Sequence, residues 1–384
     1  MDIRVAALLV QFAVSVAFNL MGSFLPLFIN SELKHTLIDA TYWTGTSQLV
    51  ASSLMAFTAP FWGFMCDRVG TKKIMMMVLA GNTLVYGGMA MSTSVLHIVA
   101  FRGLQGAFGG LSTVMFALVA SIESVKDLKR ALSHQMVAMT LGSLIGPGIG
   151  GLLAHTIGYR LTFAASSLIF VSIIPIAFVL SMPLPADRES EPSRFEGLDL
   201  KTMFPDVVAL ILVYACISFI GPTISWFLES LGVPYEQLLT VTALATILNG
   251  LAFVVATPLL TGVVTYRTLP ILSVAAAGAI FVTTFVTDPY QFVALRVIVG
   301  SIQAGIPPSL LGGKPRRKGT AMGFLNSARF MGMAVGPFMA TSILGYGETP
   351  NVLYMFSTMA GLSLLASLVI YLTHTRQTPS QKEN

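Results

Sequence analysis

The chain has 384 residues, of which 54% are hydrophobic and only 10% are charged, and its formal net charge is +5. Soluble domains carry roughly 25% charged residues, so this composition excludes a soluble protein and indicates one that needs lipid around it. The two cysteines, Cys66 and Cys216, form no CxxC pair, so the sequence indicates neither a structural metal site nor a disulfide framework.

Twelve stretches are long and apolar enough to cross a bilayer, which takes about 20 mostly apolar residues. We place these spans at approximately 5–29, 43–65, 73–92, 96–120, 133–157, 161–183, 205–229, 237–262, 268–287, 290–311, 319–344 and 351–373. The longest polar insert, 184–204, separates six spans from the next six. The sequence therefore predicts an all-α membrane protein with two six-helix bundles, 1–183 and 205–384, joined by a cytoplasmic linker at 184–204.

The basic residues indicate how the spans are oriented. If the N-terminus is cytoplasmic, seventeen of the 22 basic residues fall in inner segments, and the outer loops hold only Lys34 and Arg160. Cytoplasmic loops carry an excess of Lys and Arg, so we predict that both termini are cytoplasmic. The same bias accounts for the positive net charge, and no nucleic-acid partner is expected.

The two sets of six spans resemble each other. Arg102 in span 4 is matched by Arg296 in span 10, 194 residues later, and Pro60 in span 2 by Pro258 in span 8, 198 residues later. A parallel repeat of this kind is typical of secondary transporters, whose substrate site lies near the midplane between the halves. A receptor or a membrane enzyme does not require such a duplication.

Glycines recur every fourth residue in span 5, at Gly142, Gly146 and Gly150. The letters GPGIGG at 146–151 match the glycine pattern of a dinucleotide-binding loop, but no strand precedes them and no acidic residue follows about 20 positions on. We interpret them as a smooth helix face that lets backbones approach closely in lipid, with a bend favoured at Pro147. A bendable seam between the halves and ordinary tight packing are the two alternatives for this face.

Three motifs resemble those of a known family. Residues 142–151, GSLIGPGIGG, resemble the GxxxGPxxGG signature of span 5 in exporters of the major facilitator superfamily. Residues 63–73, GFMCDRVGTKK, resemble the superfamily's loop 2–3 signature, and residues 102–106, RGLQG, resemble its RxxQG element of span 4. The resemblance covers the whole chain and extends to the twelve-span drug:proton antiporters. It implies the major facilitator fold, and it implies a helix-packing motif of antiporters at Gly142, Gly146, Pro147, Gly150 and Gly151.

The loop 2–3 motif predicts a conformational latch at the cytoplasmic face. Gly70 permits a tight turn, and Asp67 is suited to the positive N-terminus of a neighbouring helix, which by resemblance is span 11. The residues assigned to the latch are Gly63, Asp67, Arg68, Gly70, Lys72 and Glu123, the last as the acid that pairs with Arg68 and Lys72. Thr71 stands where the family usually has a basic residue. A solvated turn is the alternative.

Three arginines lie inside predicted spans, where an ionisable residue is costly unless it is paired, hydrated or functional. Arg102 and Arg296 lie about seven residues below the outer surface, and Arg329 lies roughly 15 Å deep at about 1.5 Å per residue. No Asp or Glu occupies the middle of any span. We therefore expect an electropositive cavity in which Arg329 pairs with an anionic substrate group. By resemblance, Arg102 is linked to proton coupling. Snorkelling, or bonding to backbone carbonyls at helix kinks, is the alternative for these arginines.

Other polar residues within spans are candidates for lining the cavity or for coupling to protons. The cavity candidates are Asn19, Gln105, Asn249, Gln303, Asn326, Tyr214 and Trp226. An ordinary interhelical hydrogen bond is the alternative for each amide. The candidates for the proton-carrying group are Glu229, Asp39 and His134, and the sequence does not choose among them.

The sequence thus predicts a multi-pass transporter of a bacterial-type inner membrane rather than an enzyme. We expect proton-driven export of small organic molecules, such as an anionic drug, siderophore or carboxylate, by alternating access of two rocking bundles. An uptake permease for an organic anion is the alternative, favoured by the neutral Asn19 at a depth where many drug antiporters carry an acid. A non-transporting receptor or assembly factor is a third hypothesis. No cofactor or metal is expected, and the protein is expected to be a monomer in the lipid bilayer.

Overall fold

The computed structural model describes residues 3–35, 37–122, 127–179, 200–312, 319–345 and 352–377. Within these ranges every regular element is helical, and the predicted all-α architecture is confirmed. The α-helices are α1 (Ile3–Asn19), α2 (Leu25–Ser31), α3 (Leu37–Val69), α4 (Thr71–Ala90), α5 (Val95–Ala107), α6 (Leu111–Ile122), α7 (Leu128–Ile157), α8 (Tyr159–Val179), α9 (Leu200–Phe219), α10 (Ile224–Ser230), α11 (Tyr235–Val263), α12 (Leu269–Val282), α13 (Pro289–Gln303), α14 (Ile306–Gly312), α15 (Gly319–Gly345) and α16 (Val352–Gln377).

Some of the predicted spans are interrupted rods rather than continuous helices. A 3₁₀ turn at Leu20–Ser23 separates α1 from α2, and a 3₁₀ turn at Gly221–Thr223 separates α9 from α10. Likewise α5 and α6 together form one rod, and so do α13 and α14. Counted in this way, the helices of the described ranges make twelve rods, one for each predicted span.

Eight helical segments of the described chain are long and apolar enough to cross a membrane. They are Arg4–Ser31, Trp43–Val69, Val95–Ala120, Leu128–Ile157, Tyr159–Ile176, Val241–Val263, Pro289–Gly312 and Val352–Thr373. The rods that contain α9 and α12 include the shorter apolar stretches Met203–Phe219 and Leu269–Phe285. Large apolar side chains such as Leu96, Leu152 and Val263 are exposed on these helices, as expected where lipid is the solvent.

The chain divides into two compact units. The first contains Met1–Gly197 and Arg316–Ser327, and the second contains Leu198–Pro315 and Ala328–Asn384. Most of the predicted linker, 184–199, lies outside the described residues, and residues 200–204 form the first turn of α9. The start of α15 therefore belongs to the first unit and the rest of this helix to the second.

The two units repeat the same helix pairings. In the first unit α4 packs along α8 and α3 along α5, and in the second unit α12 packs along α16 and α11 along α13. Glycine permits a close approach at equivalent places. A Cβ atom on Gly106 would meet the Cβ of Leu54 on α3 at 2.9 Å, and one on Gly300 would meet the carbonyl oxygen of Asn249 on α11 at 2.8 Å. The sequence repeat is thus a repeat of packing.

Each unit has its own aromatic core. In the first unit the rings of Phe28 and Phe163 meet edge to face, with centroids 5.3 Å apart. In the second unit Phe227 meets Phe292 and Phe356 in the same way, at 5.0 Å in both pairs. Phe28 and Phe227 are 199 residues apart in the chain, so the repeat extends to the residues that fill the cores.

Candidate functional site

Arg102 lies on α5 of the first unit and is 6% exposed. Its terminal nitrogens donate to the side-chain oxygen of Gln105, at 2.5 Å, and to that of Gln48 on α3. One of them also lies 3.8 Å from the sulfur of Met21. The sequence predicted Arg102 and Gln105 as site residues, and the structure brings them into direct contact.

The hydrogen bonds continue beyond the arginine and fix the amides that surround it. Gln105 donates from its amide nitrogen to the Tyr86 hydroxyl at 2.8 Å, and that hydroxyl donates to the backbone carbonyl of Phe18 at 3.2 Å. The Gln48 amide nitrogen donates to the Ser52 hydroxyl at 3.0 Å. Both amide oxygens are thereby directed at the guanidinium. The charge of Arg102 is thus met by neutral acceptors, and none of the described carboxylates pairs with it.

Gln48 and Tyr86 were not singled out from the sequence. Gln48 lies on predicted span 2 and Tyr86 on predicted span 3, and each is a polar side chain in an apolar stretch. That is the only sequence signal for them, and it does not name their partner. Charge-assisted hydrogen bonds of this kind are about twice as strong as neutral ones, so Gln48 and Gln105 are central to holding Arg102 in a buried position.

The glycine face of α7 packs against α1 and the 3₁₀ turn that follows it. A Cβ atom added at Gly142 would lie 2.7 Å from the carbonyl oxygen of Phe12, and one at Gly146 would lie 3.0 Å from that of Val16. At Gly150 it would collide with the carbonyl oxygen of Leu20. These contacts lie within the first unit and are the tight packing that the sequence analysis gave as one alternative. Pro147 lies inside the helix, and Gly151 continues it.

Asn19, at the end of α1, takes part in this packing. Its amide nitrogen donates to the backbone carbonyl of Ser15 at 2.8 Å and to the hydroxyl of Ser143 on α7 at 3.3 Å. The structure thus places this neutral side chain in an interhelical hydrogen bond.

The loop 2–3 motif caps the first turn of α15. The carboxylate of Asp67 accepts hydrogen bonds from the backbone N–H of Thr320 at 2.8 Å and from its hydroxyl at 2.7 Å. An acid at this position satisfies free N–H groups and the positive end of the helix dipole. Gly70 has φ +98°, a conformation that favours glycine, and joins α3 to α4. Gly63 is buried, Arg68 is exposed and Lys72 is half-buried, whereas Glu123 lies outside the described residues.

Further along α15, Asn326 donates to two hydroxyls of α6. The distances are 2.9 Å to Ser112 and 2.7 Å to Thr113. The hydroxyl of Ser327 donates to the backbone carbonyl of Ala56 on α3. A Cβ atom on Gly323 would lie 2.8 Å from the Cα of Pro60. These contacts and the Asp67 cap hold the first turns of α15 within the first unit.

In the second unit, Arg296 on α13 is 8% exposed. Its Nε atom, like that of Arg102, is sealed from solvent and has no hydrogen-bond partner among the described residues. The thiol of Cys216 on α9 lies nearby. Gln303, two turns further along α13, donates to the Cys216 sulfur at 3.4 Å, and that thiol donates to the backbone carbonyl of Met359 at 3.5 Å. The structure thus places Arg296 and Gln303 around a cysteine that the sequence analysis left without a role.

Arg329 on α15 is 5% exposed, so it does not point into lipid. Its guanidinium carbon lies 4.4 Å from the ring centroid of Phe330, a cation–π distance. Tyr214 on α9 lies nearby. Gly332 brings α15 close to α9 beside this tyrosine, since a Cβ atom there would lie 2.7 Å from the Tyr214 Cβ. Arg329 and Tyr214 were both predicted site residues, and the structure places them together.

The three candidates for the proton-carrying group, Glu229, Asp39 and His134, all lie at exposed positions. Asn249 lies at the contact of α11 with α13, and the side chain of Trp226 lies outside the described residues. A further acid, Asp206, is buried. Asp206 on α9 accepts a hydrogen bond from the hydroxyl of Tyr266 at 2.9 Å. Asp206 lies at the start of predicted span 7, and the sequence alone does not indicate its burial, because its partner Tyr266 comes from a loop 60 residues later.

The chain is similar to bacterial proteins over nearly its full length. It is 23% identical over 386 residues to the multidrug resistance protein MdtG of Proteus mirabilis, covering 95% of each chain. It is 24% identical over 384 residues to the multi-drug resistance efflux pump PmrA of Streptococcus pneumoniae, covering 94% of each chain. Neither relative is close enough to transfer a substrate.

A solved structure and a family model agree with these relatives. The crystal structure of the human organic anion transporter MFSD10 (TETRAN) superposes with a TM-score of 0.77, covering 96% of this chain and 98% of that one at 19% identity, which indicates a shared fold. The family model of the Major Facilitator Superfamily matches residues 7–311 and, in a second match, residues 207–384. The chain therefore belongs to the major facilitator superfamily and is a multi-pass secondary transporter rather than an enzyme, as the sequence predicted.

Proposed function

We propose that this transporter exports small organic anions in exchange for protons. The observation that carries the anion preference is the charge of the buried residues. Arg102, Arg296 and Arg329 are each less than a tenth exposed, and no acid occupies the interior of any predicted span. A low-dielectric space with fixed positive charge lowers the energy of an anion relative to a cation or a neutral molecule.

The direction of transport is supported by the relatives. Two bacterial proteins that match over more than nine tenths of the chain are described as a multidrug resistance protein and an efflux pump. The GPGIGG motif of span 5, which resembles that of antiporters, agrees with export. In this proposal a proton enters as the anion leaves, and Arg102 lies within the route that couples them.

Alternating access is the proposed mechanism. Transporters built from parallel repeats expose a fixed site to one side at a time by rocking their halves. The Asp67 cap on α15 is a contact that such a movement would have to break and re-form. It joins two segments more than 250 residues apart with two hydrogen bonds to a single carboxylate oxygen.

Uptake of an organic anion is the second candidate function. It is favoured by Asn19, which is neutral and bonded to Ser143, because span 1 then offers no embedded acid to carry a proton inward in exchange for an exported substrate. Symport and antiport differ in how the direction of substrate flux depends on the pH gradient.

The test is substrate flux in proteoliposomes with imposed pH gradients of either sign. Substrates are first identified by comparing metabolites inside and outside cells with and without the protein. Antiport predicts that an anionic substrate moves against the proton flux, so that inverting the gradient inverts substrate accumulation. Co-movement of proton and substrate would establish uptake instead, and flux that ignores the gradient would contradict proton coupling altogether.

A further inference from the structure

The buried arginines of the two repeats differ in their hydrogen-bond acceptors. Arg102 donates to the amide oxygens of Gln48 and Gln105. The Nε atoms of both arginines lack an acceptor, but the terminal nitrogens of Arg296, the counterpart 194 residues later, also bond to none of the residues that the structure describes. Within the described residues, the terminal nitrogens of Arg102 have acceptors and those of Arg296 have none.

The difference arises from two substitutions between the repeats. The position equivalent to Gln105 is Val299, which is buried and apolar. The position equivalent to Gln48, taken at the 198-residue offset of span 2, is Thr246, whose hydroxyl donates to the carbonyl of Thr242 on its own helix at 2.9 Å. The second unit therefore keeps the guanidinium but lacks both of its acceptors.

A buried cation without an acceptor is costly in a membrane protein. The alternatives given by the sequence analysis do not relieve that cost here. Arg296 is too buried to snorkel to the surface, and no backbone carbonyl of the described chain accepts from it. A ligand that supplies the acceptor would offset the cost.

The surroundings of Arg296 indicate what kind of ligand fits. The fork of an arginine matches a carboxylate, which accepts two parallel N–H groups. The same stretch of α13 carries the buried residues Phe292, Val293 and Val299, and the neighbouring Cys216 thiol belongs to the apolar core of this unit. The ligand should therefore carry one carboxylate on an apolar body.

We propose that the Arg296 guanidinium binds the carboxylate of the transported molecule within the second unit. Arg102, whose terminal nitrogens are occupied by Gln48 and Gln105, is not the residue that binds it. This inference rests on the proposed function for what is transported, but the binding itself is measurable without any proton gradient.

The test compares an acid with its uncharged analogue of the same shape. The probes are naproxen, an aryl carboxylate, and its primary amide, and their equilibrium binding is measured on the full-length protein in lipid nanodiscs. Naproxen should bind the unaltered protein more tightly than the amide does. In Arg296→Gln the Kd for naproxen should rise by about tenfold or more, as expected for loss of hydrogen bonds to a charged group, while that of the amide stays within about twofold.

Arg160→Gln is the matched control. Arg160 is a half-buried arginine of the first unit that pairs with Glu32 at 3.2 Å, so its loss removes the same charge without touching the second unit. Naproxen affinity should be unchanged in this variant. If it falls as much as in Arg296→Gln, the effect is one of net charge and the inference is wrong.

A second variant keeps the arginine and tests the argument from the repeat. Val299→Gln restores an amide at the position of Gln105, so Arg296 should gain an internal acceptor and naproxen should bind more weakly, although the charge is retained. Naproxen affinity that is unchanged in both Val299→Gln and Arg296→Gln would overturn the inference. This outcome is separate from that of the flux test. If substrate flux does not respond to the pH gradient but naproxen still binds more tightly than its amide, proton exchange is refuted and the Arg296 site is supported.

Discussion

At the scale of single residues, the main problem for this protein is to keep a guanidinium buried in a bundle surrounded by lipid. Arg102 solves it with two amides whose own N–H groups are held by Tyr86 and Ser52. Amide oxygens stay neutral at every pH, so this solution does not depend on protonation. A carboxylate partner would have formed a tighter pair but would have cancelled the positive charge. The protein therefore retains charge at Arg102 and fixes its position.

Tyr86 provides a test of this network. In Tyr86→Phe the Gln105 amide N–H and the Phe18 carbonyl both lose a partner in a buried place. We expect a loss of about 1–3 kcal/mol in the free energy of unfolding, the usual cost of leaving a buried polar group unsatisfied. The measurement is denaturant titration in detergent micelles. Tyr290→Phe, which removes a hydroxyl from an exposed residue, should change the free energy by less than about 0.5 kcal/mol. Equal effects of the two variants would refute the network.

The same network indicates how far single residues are predictable. Arg102 and Gln105 were identified because a charged residue in an apolar span is rare and because both belong to a motif. Gln48 and Tyr86 lie 54 and 16 residues before Arg102, on other helices. The rotation and packing of the helices decide which polar residue of an apolar helix contacts the arginine. A single sequence does not indicate that rotation.

At the scale of helices, close packing depends on where glycine leaves room for a neighbouring backbone. Three of the glycines of α7 face α1 and its 3₁₀ turn, and they recur every fourth residue because that spacing keeps them on one side of the helix. Gly148 lies on another side, where an added Cβ atom would meet nothing within 4 Å. The same helix therefore contains both the test position and its control.

Gly150→Ala should separate α7 from the carbonyl of Leu20 and destabilise the protein by about 1–3 kcal/mol, as overpacking usually does. Gly148→Ala should be neutral or should stabilise by up to about 1 kcal/mol, because alanine favours a helix and meets no obstacle. Both are measured as shifts in thermal unfolding in detergent. Similar shifts for the two variants would show that backbone contact with α1 is not what Gly150 provides.

Helix breaks were not predicted, although all twelve rods were. Span 1 was expected to be continuous, but a 3₁₀ turn follows Asn19 and Pro26 lies in the first turn of α2. Spans 4 and 10 are also divided, at 108–110 and 304–305. Apolar composition fixes the length of a span because the bilayer is about 30 Å thick. Apolar composition does not indicate a local break, since the residues on both sides of each break are apolar enough to continue the span.

At the scale of the whole molecule, the repeat preserves packing and changes polar chemistry. Helix pairings, aromatic cores and close glycine contacts recur in both units, whereas the acceptors of Arg102 have no counterparts around Arg296. Packing has to be the same wherever the same helices meet in lipid. Buried polar groups do not have to be the same in both units. They differ at the positions where one unit is proposed to bind the substrate and the other to couple its transport to protons.

The orientation of the molecule in the membrane is the property that depends on all the loops together. Seventeen basic residues on one side against two on the other predict a cytoplasmic N-terminus, a cytoplasmic 184–204 segment and an external loop at 93–95. Single cysteines report this in a Cys66→Ser, Cys216→Ser background, which contains no other thiol. Ser190→Cys should react with a membrane-impermeant maleimide only after spheroplasts are permeabilised, and Thr93→Cys should react in intact ones. The background without an added cysteine should stay unlabelled in both conditions. The opposite pattern of labelling would show that every loop lies on the side of the membrane opposite to the predicted one. The Asp67 cap of α15 would then be external, where a cytoplasmic latch could not operate.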